Sequence, residues 1–205
     1  AHVQTWDPEK IASISASAWK NVPVELITSF TIEQLQAVNW AAVGNFTKKT
    51  WDNIPFESVI QMTGRQIREI SPEVVGKWTA SQWEKVPVDD FLYLTAEQIQ
   101  NIPVETLRSM SLETVSHFNG MLEESLTDKQ KDVLTEQQQI IMASTLGQAE
   151  NVRNYLDQKK IEWAARDVLD QTTIELEEGS TKAGMDAKLL SLLLRNQQTA
   201  KEEYE

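Results

Sequence analysis

The sequence predicts an all-α protein built from short helices that repeat every sixteen residues. Three observations support this fold class: a Ser or Thr at constant spacing, large apolar residues at fixed distances from it, and a proline or asparagine midway between successive Ser/Thr positions. The Ser/Thr series runs without a gap through Ser15, Thr31, Thr47, Thr63, Thr79, Thr95, Ser111 and Thr127. Such a period is typical of repeat proteins, in which each unit packs on its neighbours.

The Ser/Thr of each unit is predicted to begin a helix. Its hydroxyl can accept a hydrogen bond from an unpaired N–H group of the first turn. A glutamine three residues later completes a capping box in five units, at Gln34, Gln66, Gln82, Gln98 and Gln130. Large apolar residues follow the Ser/Thr at four and seven positions, so they lie on one face of the helix.

A second helix is predicted to begin in the middle of each unit. All six prolines lie there, at Pro8, Pro23, Pro55, Pro72, Pro87 and Pro103, and Asn39 and Asn119 take the equivalent place in two further units. Proline suits the first turn of a helix. Each unit is therefore predicted to contain two helices of about two turns. Because helices shorter than about 12–15 residues are marginal alone, we expect them to stack into a solenoid or superhelix.

The repeat fails after Thr127, so we expect two regions: 1–127 as the repeat array and 128–205 as longer helices that cap its C-terminal end. Three longer helices are predicted, the first from Thr127 or Thr135 to Leu146, the second over 148–169 and the third over 181–205. The second has an approximate apolar stripe of Val152, Tyr155, Leu156, Trp163, Val168 and Leu169. Residues 170–180 are predicted to be a polar linker, with a short extended piece at 172–176. An oligomerisation helix pair and a connection to further sequence are the alternatives to a cap.

Composition excludes several classes of function. The net charge of −12 opposes sequence-independent nucleic-acid binding, which needs a basic face, and adsorption to anionic membranes. No run of eighteen apolar residues is present, so no membrane span is expected. The chain has no cysteine, which excludes disulfides, thiolate metal sites and cysteine nucleophiles, and slightly favours a reducing compartment.

The sequence contains no pattern that predicts catalysis. His2 and His117 are the only histidines, too few for the His clusters of zinc sites, and the seven glycines form no phosphate-binding or nucleophile-elbow motif. The adjacent acidic pairs Asp89-Asp90 and Glu177-Glu178 point to different sides of a helix or strand. We therefore predict no catalytic residue, no metal, no cofactor and no enzymatic activity.

Two features are candidates for recognition or modification. Five tryptophans occupy predicted core positions, whereas Trp40 lies off the apolar stripe and is the better candidate for exposure and partner contact. The alternative for the tryptophans is a concave, Trp-lined groove that carries an apolar small molecule. Asn45-Phe46-Thr47 is an N-glycosylation sequon, so Asn45 is a candidate glycosylation site, although Thr47 is also a predicted helix cap.

The first unit enters part-way through the repeat and has no Ser/Thr cap of its own. Its apolar residues Val3, Trp6 and Ile11 are therefore predicted to form an exposed end of the array. We expect this end to contact a partner protein, a second copy of the chain or an upstream segment.

The segments TIEQLQAVNWAAVGNF at 31–46 and TAEQIQNIPVETLRSM at 95–110 resemble the short-helix repeats of the mesothelin–stereocilin–otoancorin family. The resemblance covers roughly residues 3–127. It implies an extracellular or cell-surface superhelical glycoprotein that works by adhesion to a protein or matrix partner, without catalytic residues. The absence of cysteine, the single sequon and the lack of a hydrophobic tail depart from that family, and a cytoplasmic location is the alternative.

Overall fold

The protein is described here by a computed structural model, which covers residues 3–176. All regular secondary structure in this range is helical, which confirms the all-α class. Two compact units are present: the described residues of the first are 3–69 and 163–176, and those of the second are 70–162.

Most helices are only one or two turns long. The first unit contains α1 (Pro8–Ala12), α2 (Ala16–Trp19), α3 (Val24–Ile27), α4 (Ile32–Ala37), α5 (Trp40–Gly44), α6 (Lys48–Asn53), α7 (Phe56–Val59) and α8 (Gly64–Arg68). They are followed by α9 (Pro72–Val75), α10 (Ala80–Trp83), α11 (Ala96–Gln100), α12 (Val104–Ser109), α13 (Leu112–His117), α14 (Met121–Ser125), α15 (Asp128–Lys131), α16 (Glu136–Thr145) and α17 (Ala149–Leu176). Short 3-10 helices lie at Val3–Thr5, Val88–Tyr93 and Leu146–Gln148.

The predicted Ser/Thr series begins helices at every position. All eight residues are N-caps, and all but Ser15 accept a hydrogen bond from the backbone of the first turn. The Ser15 hydroxyl instead lies 3.0 Å from that of Ser17. The five predicted capping boxes are all present. A sixth, between Thr135 and Gln138 at the start of α16, was not predicted.

The mid-unit helices differ from the prediction in length and in the position of proline. Helices α3, α7 and α9 have four residues each, about one turn rather than two. Pro8 and Pro72 are the first helical residues, as expected, but the prolines before α3, α7 and α12 are themselves N-caps. An N-cap has extended ψ and needs no N–H donor, so proline meets both conditions.

Asn119 does not begin a helix, unlike Asn39. It has φ of 50°, and the N-cap of α14 is Gly120, with φ of 82°. A Cβ atom on Gly120 would lie 2.6 Å from the Leu146 Cα. Both the left-handed backbone and this close approach require glycine.

Within each unit, most of the helix pairs that pack closely lie three elements apart along the chain. In the first unit the pairs are α1/α4, α2/α5, α3/α6 and α5/α8; in the second they are α9/α11, α10/α12, α11/α14 and α13/α16, counting the 3-10 helix Val88–Tyr93 as an element. The N-caps Ser15 and Asn39 of the packed pair α2/α5 are 24 residues apart. The packed helices are therefore 24 residues apart, which is one and a half sequence repeats. As a result, a helix that begins at a repeat Ser/Thr packs on a helix from the middle of another repeat.

Buried glutamines connect helices that are distant in sequence. The Gln66 side chain is 1% exposed, and its Nε2 donates to the Leu35 and Val38 carbonyls at 2.9 and 2.8 Å. The Val38 carbonyl lies just past the C-terminal end of α4 and has no partner within that helix, whereas the Leu35 carbonyl also accepts from the Val38 N–H. Gln34, Gln98, Gln130 and Gln138 donate in the same way to carbonyls 28 to 31 residues earlier. One side chain thus caps the start of its own helix and the end of an earlier one.

The predicted apolar positions form the core. The residue four positions after each of the first seven Ser/Thr is buried, at Trp19, Leu35, Trp51, Ile67, Trp83, Ile99 and Val115. At the other predicted positions Val22, Phe30 and Phe46 are only half-buried. These three exceptions lie in the first unit.

The region after residue 127 agrees with the prediction in part. The first predicted helix is α16, which begins at the Thr135 alternative and has Leu146 as its C-cap, while Thr127 begins the separate short helix α15; the second predicted helix is α17. The predicted linker is wrong as far as Leu176, including the extended piece at 172–176, because α17 continues through it. Residues 170–176 contain neither proline nor glycine, so nothing in that stretch ends the helix. The remainder of the linker and the helix at 181–205 lie outside the described residues.

The apolar stripe predicted for α17 is also partly wrong. Val152 and Leu156 are buried, but Tyr155, Val168 and Leu169 are exposed. The spacing between these groups does not keep a single helical face over the whole length of α17.

Candidate functional site

The N-terminal stripe is covered rather than exposed. Val3, Trp6 and Ile11 are all buried. The Gln34 side chain donates to the Val3 and Trp6 carbonyls at 2.7 and 3.0 Å, and the Trp6 ring packs edge-on against Phe30. The expectation of an exposed apolar end at these residues is therefore wrong, because α4 packs on α1 and Gln34 binds the carbonyls of Val3 and Trp6. Contact of this end with a partner stays a prediction.

The five tryptophans at predicted core positions are buried, which confirms the packing interpretation. They are Trp6, Trp19, Trp51, Trp78 and Trp83. Trp83 is 0% exposed, and its ring centroid lies 5.0 Å from that of Trp78 and 5.5 Å from that of Phe118. Trp6 and Trp19 pack against Phe30, and Trp51 packs against Phe46. Because all five rings are buried among other side chains, they give no support to the carrier hypothesis.

Asn45 lies at an exposed helix end. It is the C-cap of α5, and its Nδ2 donates to the Ala41 carbonyl at 2.9 Å. The Thr47 hydroxyl accepts from the Thr50 N–H at the start of α6. The sequon therefore spans the end of one helix and the start of the next, and its use as a glycosylation site stays a prediction.

Trp40 belongs to a cluster of four side chains from three helices of the first unit. It is half-buried, and the Arg65 guanidinium carbon lies 4.2 Å from its ring centroid. The same guanidinium lies 5.2 Å from the Trp163 ring centroid and forms two hydrogen bonds with Asp167, at 3.0 and 2.6 Å. We call Trp40, Arg65, Trp163 and Asp167 the Arg65 clasp. It connects α17 to α5 and α8.

The local geometry of the clasp follows from helix positions. Trp40 is the first residue of α5 and Arg65 the second of α8, two helices that pack together. Trp163 and Asp167 are four residues apart on α17, so they lie on one face. The planar guanidinium can bind a carboxylate through two parallel bonds and stack on an aromatic face at the same time, which lysine cannot do.

The sequence indicated only one member of this cluster. Trp40 was singled out because it lies off the apolar stripe, and the structure places it at the clasp. Arg65 resembles other charged helix-start residues, and Asp167 lies 102 residues away from it. No local spacing could therefore have paired them.

A second cluster, in the second unit, contains acidic and phenolic groups. The Tyr93 and Tyr155 hydroxyl oxygens lie 3.0 Å apart. Burial raises the pKa of Tyr93 to about 12, with a smaller contribution from its bond to Tyr155. Partial burial, with the neighbouring Asp89 charge, raises the pKa of Asp90 to about 6. Asp90 therefore changes its charge in mildly acidic solution, unlike an ordinary aspartate.

Among the described side chains, which end at residue 169, no three His, Cys, Asp or Glu come together as metal ligands. The His117 ring packs edge-on against Phe91, with 5.4 Å between centroids. His2 and the pair Glu177-Glu178 lie outside the described residues. In the same part of the chain, no helix has both the length and the apolar character needed to cross a membrane.

Comparison of the chain with protein-family models, curated proteins and solved structures returns no match. The resemblance to the mesothelin–stereocilin–otoancorin repeats therefore stays a prediction that depends on the repeat motif alone.

Proposed function

We propose that this chain is a noncatalytic scaffold for protein interaction or adhesion, in which the short helices wind as a superhelical solenoid. The observation that carries the proposal is the regular packing, within each unit, of helices that lie three elements apart along the chain. This packing buries the apolar residues of the repeat inside the array. It leaves the starts of the helices available as a repeated polar surface.

Charge gives the surface a chemical character. Glu9, Glu33 and Glu57 are exposed, each is the second residue of its helix, and successive members are 24 residues apart. In the second unit Glu73 and Glu97 are exposed at equivalent positions of the packed helices α9 and α11. We call these two sets the acidic rows. A partner with a basic surface is complementary to them, since opposite charges across an interface favour association and orientation.

The proposed setting is outside the cell or at its surface, as the family resemblance implies. There the partner is a protein or an extracellular matrix component.

The experiment is an adhesion assay with the purified chain coated on a surface. We expect saturable, salt-sensitive binding of cells or matrix proteins from the natural source. The double variant Glu33→Lys/Glu57→Lys should weaken binding, whereas Glu136→Lys/Asp157→Lys, which changes net charge equally outside the acidic rows, should not.

Native mass spectrometry of protein purified from its source tests the competing carrier function. A small molecule retained in stoichiometric amount, together with no saturable binding to cells or matrix, would contradict the scaffold proposal.

A further inference from the structure

The part of α17 that belongs to the first unit buries little side-chain surface where its side chains are described. From residue 163 to residue 169 every side chain is exposed or half-buried, and Leu169 is 67% exposed. Leu156 is the last buried residue of the helix with a described side chain. Segments with little buried apolar surface open at low free-energy cost. Docking of this part of the helix therefore depends strongly on the Arg65 clasp.

The clasp has two chemically distinct halves. The body of the first unit contributes Trp40 and Arg65, the residue types that most often dominate binding energy at protein interfaces. Helix α17 contributes Trp163 and Asp167, an aromatic residue and a carboxylate four residues apart. The Arg65 side chain is 19% exposed and that of Asp167 is 41% exposed, so the cation is largely shielded from water while the carboxylate is accessible from the surface.

We propose that Trp40 and Arg65 form a docking site for a helix that presents an aromatic residue and, four positions later, a carboxylate. Helix α17 is the resident occupant of this site, and a partner helix with the same pattern replaces it. The inference depends on the proposed function, since it names one surface and one class of partner for the scaffold.

Charge and shape complementarity select this occupant. The Asp167 carboxylate bonds both terminal nitrogens of the guanidinium, and Trp163 provides an aromatic ring beside it. A helix that lacks the carboxylate would leave a partly buried cation unpaired, which is unfavourable. A helix that lacks the aromatic residue would lose the contact beside the guanidinium.

The test uses the full chain and a fluorescein-labelled synthetic peptide of residues 157–176, with binding followed by fluorescence anisotropy. The resident helix is weakened in the full chain by Trp163→Ala/Asp167→Asn. We expect the peptide to bind this variant at least about ten times more tightly than it binds wild type, because the site is no longer occupied in cis. Adding Arg65→Ala to the variant, or making the same two substitutions in the peptide, should abolish binding.

A matched control lies on the same helix. Asp157→Asn removes the exposed pair with Lys160 and leaves the clasp intact, so peptide affinity should equal that of wild type. Circular dichroism verifies that every variant keeps its helical content. Hydrogen exchange of residues 163–169 should be faster in the double variant and unchanged in Asp157→Asn.

Three results would each overturn the inference: equal peptide binding by wild type and the double variant, peptide binding that is independent of Arg65, or unchanged hydrogen exchange in residues 163–169. When the double variant is mixed with wild type, a dimer of the two chains would support the site with a second copy as the occupant, provided that adding Arg65→Ala to the double variant abolishes the dimer. If the peptide fails to bind while adhesion persists, this docking site is refuted and the scaffold function stands.

Discussion

The double role of the capping-box glutamines can be measured by comparing Gln66→Ala with Gln82→Ala. Both residues complete a capping box with the threonine three positions earlier. Gln66 is 1% exposed and also donates to the Leu35 and Val38 carbonyls, whereas Gln82 is half-buried at the protein surface. The difference between the two variants therefore isolates the long-range connection from the local cap.

The expected magnitudes follow from the bonds that are lost. Each variant loses the side-chain bond to the cap N–H, which contributes about 0.5–1.5 kcal/mol. Gln66→Ala also leaves the Val38 carbonyl without a donor, at about 1–3 kcal/mol, and removes one of the two bonds to the Leu35 carbonyl, which keeps the Val38 N–H, at about 0.5–1.5 kcal/mol. We take the low end of both ranges, because the space left by the side chain can admit water. Gln66→Ala should thus cost about 2–3 kcal/mol and Gln82→Ala about 1 kcal/mol.

Urea unfolding followed by circular dichroism measures both costs. Hydrogen exchange should show the additional loss of protection in α4 and α8 of Gln66→Ala, since these helices share the connection. Equal destabilisation by the two variants would refute the reasoning, because it would assign the whole effect to the cap.

Three further predictions concern the core, the acidic cluster and the sequon. Thr63→Ala should cost about 0.5–2 kcal/mol by removing a cap, and Trp83→Ala about 3–5 kcal/mol by emptying a buried site; denaturant titration in the opposite order would contradict the assignments. Because the folded pKa of Asp90 is raised from 3.8 to about 6, its protonated form favours folding, and this contribution is lost as the pH rises through that range. Asp90→Asn should accordingly be more stable than wild type near neutral pH, and the advantage should disappear at about pH 4 in parallel urea titrations. Secretion from a glycosylating host should add a glycosidase-sensitive mass at Asn45, retained in Thr47→Ser and absent in Asn45→Gln; an unmodified wild type would exclude the site.

The features that were predictable from sequence depend on contacts within a few residues along the chain. Thr63 and Gln66 cap one helix turn, so their spacing alone is enough to predict the capping box. The buried face of each Ser/Thr-capped helix follows equally from spacings of four and seven, because these positions share one side of a helix. The proline positions predict where the mid-unit helices begin. They do not predict whether the proline is the N-cap or the first helical residue.

The features that were not predictable depend on which distant helices meet. The sequence repeats every sixteen residues, but packed helices are 24 residues apart. This interval depends on the number of short helices that separate two helices whose apolar faces pack together. Gln66 reaches carbonyls 28 and 31 residues earlier for the same reason. Val3, Trp6 and Ile11 are buried because α4 and Gln34 cover them, and Arg65 meets Asp167 across 102 residues. Local chemistry therefore determines where each helix begins, and burial of apolar surface between distant helices determines which side chains remain for a partner.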